Sequence, residues 1–164
     1  MKLAIVGATG MVGNEILKII QEKNLAYSEL ILVASNKSKG KELIINNKSH
    51  FIIDLEEMLA KKPDLALFSA GSHISKIWAP KLAEIGCKVI DNSSYWRMIS
   101  DHKLIIPEIN GAQLEKNDII VANPNCSTIQ LLIAIAPLHK KYKIKRIIIS
   151  TYQSVTGTGK QAVD

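Results

Sequence analysis

Seven residues near the start of the chain, Gly7-Ala8-Thr9-Gly10-Met11-Val12-Gly13, leave it little choice of fold. They follow a short apolar run, Leu3 to Val6, and lead into Val12, Ile16, Ile19 and Ile20, which recur at helical spacing. That order is strand, glycine-rich turn, helix. A second apolar run, Leu30 to Ala34, completes a β-α-β unit, whose two strands pair in parallel through a right-handed crossover. Further strands are expected at Ile44-Ile45, Phe51 to Ile53, Leu65 to Ser69, Lys88 to Asp91, Leu104 to Ile106 and Ile119 to Val121, with helical patterns between them, notably Ser75 to Ile85.

Several of these strands are unbroken apolar runs, the mark of a parallel sheet covered on both faces. The expected fold is therefore α/β, a doubly wound and mostly parallel Rossmann-like sheet occupying residues 1–125. After Pro124 the pattern changes. An apolar helix, Ser127 to Lys140, leads into a strand at Ile144 to Tyr152, and residues 126–164 are expected to begin a second, α+β domain for catalysis and dimerisation that is cut short at Asp164. With 164 residues, 47% of them hydrophobic and 22% charged, the chain can bury one sizeable core.

A glycine-rich turn between a strand and a helix is built for a dinucleotide. Glycine permits the tight turn and the close approach of backbone N–H groups to a pyrophosphate, and the helix N-terminus favours the negative charge. The spacing here is GxxGxxG rather than GxGxxG, placing Gly7, Gly10 and Gly13 at the turn. An NAD enzyme would carry an acid at the end of the second strand to bind the ribose hydroxyls. That strand instead ends Val33-Ala34-Ser35-Asn36-Lys37-Ser38-Lys39-Gly40-Lys41. Hydroxyls at Ser35 and Ser38 and charge at Lys37 suit a 2′-phosphate, so NADP(H) is the expected cofactor.

Only two cysteines occur, and they sit in different contexts. Cys87 lies between a helix end and a strand start and carries no expected chemistry. Cys126, in Asn123-Pro124-Asn125-Cys126-Ser127-Thr128, follows a strand and opens a helix. There the helix dipole and free N–H groups favour a thiolate, a nucleophile that attacks acyl carbons, and the same N–H groups can stabilise the resulting oxyanion. A thiol beside a nicotinamide points to thiohemiacetal and thioester chemistry coupled to hydride transfer, which needs a general base. His139 stands 13 residues along the same helix, about 20 Å away at ~1.5 Å per residue. His73, past the Leu65 to Ser69 strand, is better placed to cap the neighbouring helix. The base is expected beyond Asp164.

The formal net charge of +6 raises the question of nucleic acid, but the lysines are scattered, arginines number two, and no aromatic residues interleave with them. No nucleic-acid partner is expected. Nor is a metal site, since the four histidines and two cysteines show no ligand spacing. No basic, apolar leader opens the chain and no apolar run reaches membrane-spanning length, so a cytoplasmic protein without a membrane partner is expected.

Five segments taken together resemble a known family: the turn with Gly7-Ala8-Thr9-Gly10 and Val12-Gly13, then Asp91-Asn92-Ser93-Ser94 with Trp96-Arg97-Met98, Pro107-Glu108-Ile109-Asn110, Asn123-Pro124-Asn125-Cys126-Ser127-Thr128, and Gln153 with Val155-Thr156-Gly157. In this order they are similar to the aspartate-semialdehyde dehydrogenases, over essentially the whole chain. The resemblance implies NADPH-dependent reductive dephosphorylation of L-aspartyl 4-phosphate to L-aspartate 4-semialdehyde and phosphate, in lysine (diaminopimelate), methionine, threonine and isoleucine synthesis. It implies Cys126 as the acyl-thioester nucleophile, with Gln153 beside it contacting substrate, and Arg97 and Asn125 at the substrate and its phosphate. Thr9, Met11, Val12, Lys37, Ser38, Ser69, Thr156 and Gly157 would line the cofactor. The full-length family members are homodimers or homotetramers. Lys37 stands where the family often has arginine, and Thr156 where serine is common. Two alternatives accompany this reading: an N-acetyl-gamma-glutamyl-phosphate reductase, against which Asn125 and Ser127 speak, and an NADP-binding module without turnover, since the family's catalytic histidine and carboxylate-gripping arginine have no counterpart here.

Overall fold

The computed structural model describes residues 1–153. Seven strands form one sheet in the order β3-β4-β2-β1-β5-β6-β7. They are β1 (Lys2–Val6), β2 (Glu29–Val33), β3 (Glu42–Ile45), β4 (Lys48–Ile53), β5 (Leu65–Phe68), β6 (Lys88–Asp91) and β7 (Ile120–Ala122). Five α-helices alternate with them: α1 (Met11–Glu22), α2 (Leu55–Lys61), α3 (Ser72–Glu84), α4 (Pro107–Asn110) and α5 (Cys126–Tyr142). All pairings are parallel except β3 with β4. The expected α/β doubly wound architecture is the one observed.

The antiparallel exception has a local cause. Asn46 and Asn47 both take positive φ, 51° and 59°, which is the conformation a two-residue hairpin needs and which asparagine tolerates better than most residues. The hairpin closes one edge of the sheet. Two other expectations are corrected. Leu104 to Ile106 is not a strand: Leu104 makes one parallel bridge to Ala122, and Pro107 opens α4 straight afterwards. Ile144 to Tyr152 is not a strand either. None of the described residues pairs with it, and Ile147, Ile148 and Ile149 are all exposed. An apolar β-type pattern without a neighbouring ladder has nothing to bond its backbone.

The core lies on both faces of the sheet. One cluster gathers Ala4, Val6, Ile31, Val33, Met58, Phe68, Leu82 and Val89 among others, and a second gathers Leu3, Ile5, Leu17, Ile20, Leu32 and Ile52. Helix α1 turns Gly13, Leu17 and Ile20 inward and leaves Ile19 half exposed, a small rotation from the face its apolar spacing predicted. The reason is Gly13, the point of closest approach, which fixes the buried stripe at 13, 17 and 20. By contrast α5 is apolar in composition but none of its residues is fully buried, and Ile133 and Leu138 stand exposed.

Phe68, 1% exposed at the end of the inner strand β5, ranks among the largest fully buried side chains. Replacing it with alanine should lower the unfolding free energy by about 3–5 kcal/mol, read as a fall in the urea midpoint with little change in slope.

Candidate functional site

Strand β1 lies between β2 and β5, so the chain leaves β1 to one side and later returns to the other. In an open parallel sheet this switch point opens a crevice outside the carboxyl ends of the strands. The glycine-rich turn sits on it. Gly7 adopts φ +93° at the end of β1, and any Cβ there would collide with the Ser69 carbonyl at the end of β5. A Cβ on Gly13 would collide with the Gly7 carbonyl. Both glycines are therefore required by close backbone packing. The N–H groups of Gly7 and Ala8 are spent on the Val33 carbonyl at the end of β2, at 2.8 and 3.0 Å. The first turn of α1, at Met11, Val12 and Gly13, stays open to an anion, behind a Gly10 N-cap that offers no side chain.

Beyond β2, Ser35 caps a short 3-10 helix, Asn36–Ser38, through its backbone alone, so its hydroxyl is uncommitted. Ser35 and Lys37 are exposed and Ser38 half-buried, all on the same rim as the turn. A carboxylate also stands here, although none was legible at the end of the second strand. Asp54 directly follows β4, and β4 runs parallel to β2 with Val33 opposite Ile53. Sequence adjacency hid it, since Asp54 reaches this rim from the neighbouring strand.

On the other side of β1 an open cleft of about 800 Å³ is lined by Met11, Val12, Asn92, Arg97, Asn125, Cys126 and Gln153 among others. The expected nucleophile, phosphate-binding arginine and glutamine thus share one cavity with the start of α1. Cys126 is the first residue of α5 and is exposed. Two helix N-termini, those of α1 and α5, face this cleft, each equivalent to roughly half a positive charge. Asn125 is the N-cap of α5: its side-chain oxygen accepts from Ser127 N–H at 3.0 Å and Thr128 N–H at 3.4 Å. The first-turn donors expected for an oxyanion are in part occupied by that cap, which leaves the Cys126 N–H.

Arg97 is held by backbone. Its Nε donates to the Asn123 carbonyl at 2.9 Å and one terminal nitrogen donates to the Asn92 carbonyl at 3.0 Å. A guanidinium has five N–H donors, so three remain for the cleft, on the end of the fork. The loop that carries Arg97 is pinned in turn by Asp91, fully buried at the end of β6. Asp91 accepts from Ser75 Oγ at 2.6 Å, Ser93 N–H at 2.9 Å and Ser93 Oγ at 2.6 Å. Ser75 Oγ in its turn accepts from the Trp96 indole at 2.7 Å. Ser75 carried no signal in the sequence, because its role depends on helix α3 passing beneath the loop. Asn14, Glu15 and Gln130 also line the cleft, with no motif in the sequence to mark them; Gln130 stands one helical turn past Cys126, on the same face.

The remaining histidine and cysteine readings separate cleanly. His139 is in the last turn of α5, at the far end from Cys126. His73 is exposed in the first turn of α3 but does not cap it; the cap is Gly71, with no side-chain bond. Cys87 is fully buried, and burial pushes its thiol up to about 12. Thr156 and Gly157 lie outside the described residues. Among the described residues no group of three or more His, Cys, Asp and Glu side chains is arranged to hold a metal ion.

Residues 2–117 match the family model described as semialdehyde dehydrogenase, NAD binding domain. The chain belongs to the semialdehyde dehydrogenase family. Curated relatives of this semialdehyde dehydrogenase domain include an aspartate-semialdehyde dehydrogenase of Aquifex aeolicus, 48% identical over 99% of the chain and 49% of the relative. Another, from Vibrio mimicus, is 45% identical over 99% of the chain and 52% of the relative. The crystal structure of aspartate semialdehyde dehydrogenase II from Vibrio cholerae superposes with a TM-score of 0.92 at 44% identity, covering 99% of this chain and 49% of that one. That enzyme has also been solved complexed with ASA. The chain spans about half the length of the relatives it matches. Among the described residues no helix is long and apolar enough to cross a membrane.

The two thiols make a direct test of the geometry. A chromogenic disulfide reagent should modify one thiol, Cys126, in the native protein and two after denaturation, while Cys126→Ser should leave no rapidly reacting thiol.

Proposed function

We propose that the chain supplies the cofactor-binding and acyl-transfer half of an NADP-dependent aspartate-semialdehyde dehydrogenase. The observation that carries this reading is that Cys126, Arg97 and the N-terminus of α1 line one cleft at the switch point of the sheet. The names of the relatives support it.

Residues 1–125 form the dinucleotide domain in this reading, and 126–164 open the catalytic and dimerisation domain of a homodimer or homotetramer. The Gly7–Gly13 turn, Ser35, Lys37, Ser38 and Ser69 would hold NADP(H), and the fit is supported by the first turn of α1, which no side chain caps, and by the uncommitted Ser35 hydroxyl. Bound there, the cofactor supplies hydride. The Cys126 thiolate attacks the acyl carbon of L-aspartyl 4-phosphate. Phosphate leaves and a thioester to Cys126 remains; the cofactor would supply the reducing equivalent that turns this acyl group into the aldehyde, whose release restores the thiol. Arg97 binds the phosphate with the end of its fork, because its Nε edge is tied to two carbonyls. Asn125 orders α5 so that the thiol sits at the helix start, and Gln153 contacts the substrate. No histidine lines the cleft among the described residues, so the general base and the group that grips the substrate carboxylate come from outside this cluster. Such an enzyme serves lysine, methionine, threonine and isoleucine synthesis in the cytoplasm.

NADPH binding to the purified chain, followed by its fluorescence, together with steady-state comparison of L-aspartyl phosphate and N-acetylglutamyl phosphate in the complete enzyme, tests the reading. Binding of NADPH and preference for the aspartyl substrate are expected; preference for the acetylated substrate would overturn it. In the same enzyme Arg97→Lys should lower kcat/KM about 100-fold, because an ammonium cannot hold both carbonyls and still face the cleft in the same position.

A further inference from the structure

Lys39 is the second lysine of the loop that follows β2, two residues beyond Lys37. Its ammonium is already engaged. It lies 2.5 Å from Asp54 Oδ2 and 3.0 Å from Glu57 Oε1. Those two carboxylates are the two members of a capping box at the start of α2: Asp54 accepts from Glu57 N–H at 2.8 Å, and Glu57 accepts from Asp54 N–H at 3.3 Å. Lys37 and Lys41, on either side, make no ion pair among the described residues. The loop is tied down beside Lys39 as well, where Gly40 takes φ +80° and its N–H donates to the Ile52 carbonyl at 2.8 Å.

The three lysines of this loop are thus unequal. Lys37 is free to meet a phosphate, whereas Lys39 is neutralised by two acids at the start of α2, just past the neighbouring strand. We propose that Asp54 and Glu57 set how strongly this site discriminates a 2′-phosphate, by engaging Lys39 and withholding its charge from the nucleotide. The proposal rests on the reading of the Ser35 to Lys41 loop as the ribose end of a nicotinamide dinucleotide site. In chemical terms the nucleotide's 2′-phosphate and the acid pair compete for one ammonium, so the protein binds NADPH less selectively than its lysine count implies. The pair stays charged at neutral pH: the hydrogen bond from Lys39 holds the Asp54 carboxyl below its usual range, and the bonds to Asp54 and Glu57 hold the Lys39 ammonium above its own.

The acids can be neutralised without breaking the helix cap, because asparagine caps as well as aspartate and glutamine completes a capping box as glutamate does. Dissociation constants for NADPH and NADH would be measured by fluorescence titration for the wild-type chain, Asp54→Asn/Glu57→Gln, Lys39→Met and the triple variant. The double variant should raise the ratio of the NADH constant to the NADPH constant by about fivefold, the scale of one exposed ion pair. The triple variant should show no such gain over Lys39→Met. An unchanged ratio in the double variant, or an equal loss of affinity for both nucleotides, would overturn the proposal. So would the same gain in the triple variant, which would mean that the acids repel the phosphate directly. If the wild-type chain binds neither nucleotide, the cofactor reading fails and this proposal falls with it; if it binds both and only the ratio fails to move, the cofactor reading stands alone.

Discussion

The contact between the first helix and the first strand governs the geometry of everything at the carboxyl rim. Gly13 lies against the Gly7 carbonyl and Gly7 against the Ser69 carbonyl, distances that leave no room for a Cβ on either glycine. This stack of three backbone segments joins the ends of β1 and β5 to the start of α1. It also decides which side of α1 faces the core and how far the helix N-terminus reaches over the crevice. Side chains on the rim can vary around such a joint, but the backbone positions cannot.

From that joint the chemistry divides by position on the sheet. Towards β2 and β4 the rim carries hydroxyls, lysines and two acids; towards β6 and β7 it carries Arg97, Asn125 and Cys126. The arginine is oriented by carbonyls of the segments after β6 and β7, and the thiol is oriented by the cap at the start of α5. Each functional group is thereby fixed by the end of a strand rather than by a free loop, the condition for holding reacting atoms in register.

Much of this was legible in the sequence because the signals are local. A glycine turn between an apolar run and a helical pattern, or a cysteine one residue past an asparagine at a helix start, needs no knowledge of distant residues. What stayed hidden depends on which strands become neighbours. Asp54 sits next to the end of β2 only because β4 pairs there, and Ser75 meets Asp91 and Trp96 only because α3 crosses beneath the loop. The strand expected at Ile144 to Tyr152 shows the opposite case: the apolar pattern is present, but the partner that would make it a strand is not among the described residues. The asparagine pair at 46 and 47 was visible, yet its hairpin meaning emerges only once the flanking runs are seen to extend to Glu42 and Lys48.

The buried hydrogen-bond chain from Asp91 through Ser75 to Trp96 has an optical consequence. An indole whose N–H is bonded in a dry, polar setting emits according to the field of its acceptor, and Trp96 is directly followed by Arg97 on the wall of the cleft. The two tryptophans should therefore emit differently: Trp96 donates its N–H into a buried chain that ends on a carboxylate, whereas the ring of Trp78 lies under the Lys81 ammonium on α3.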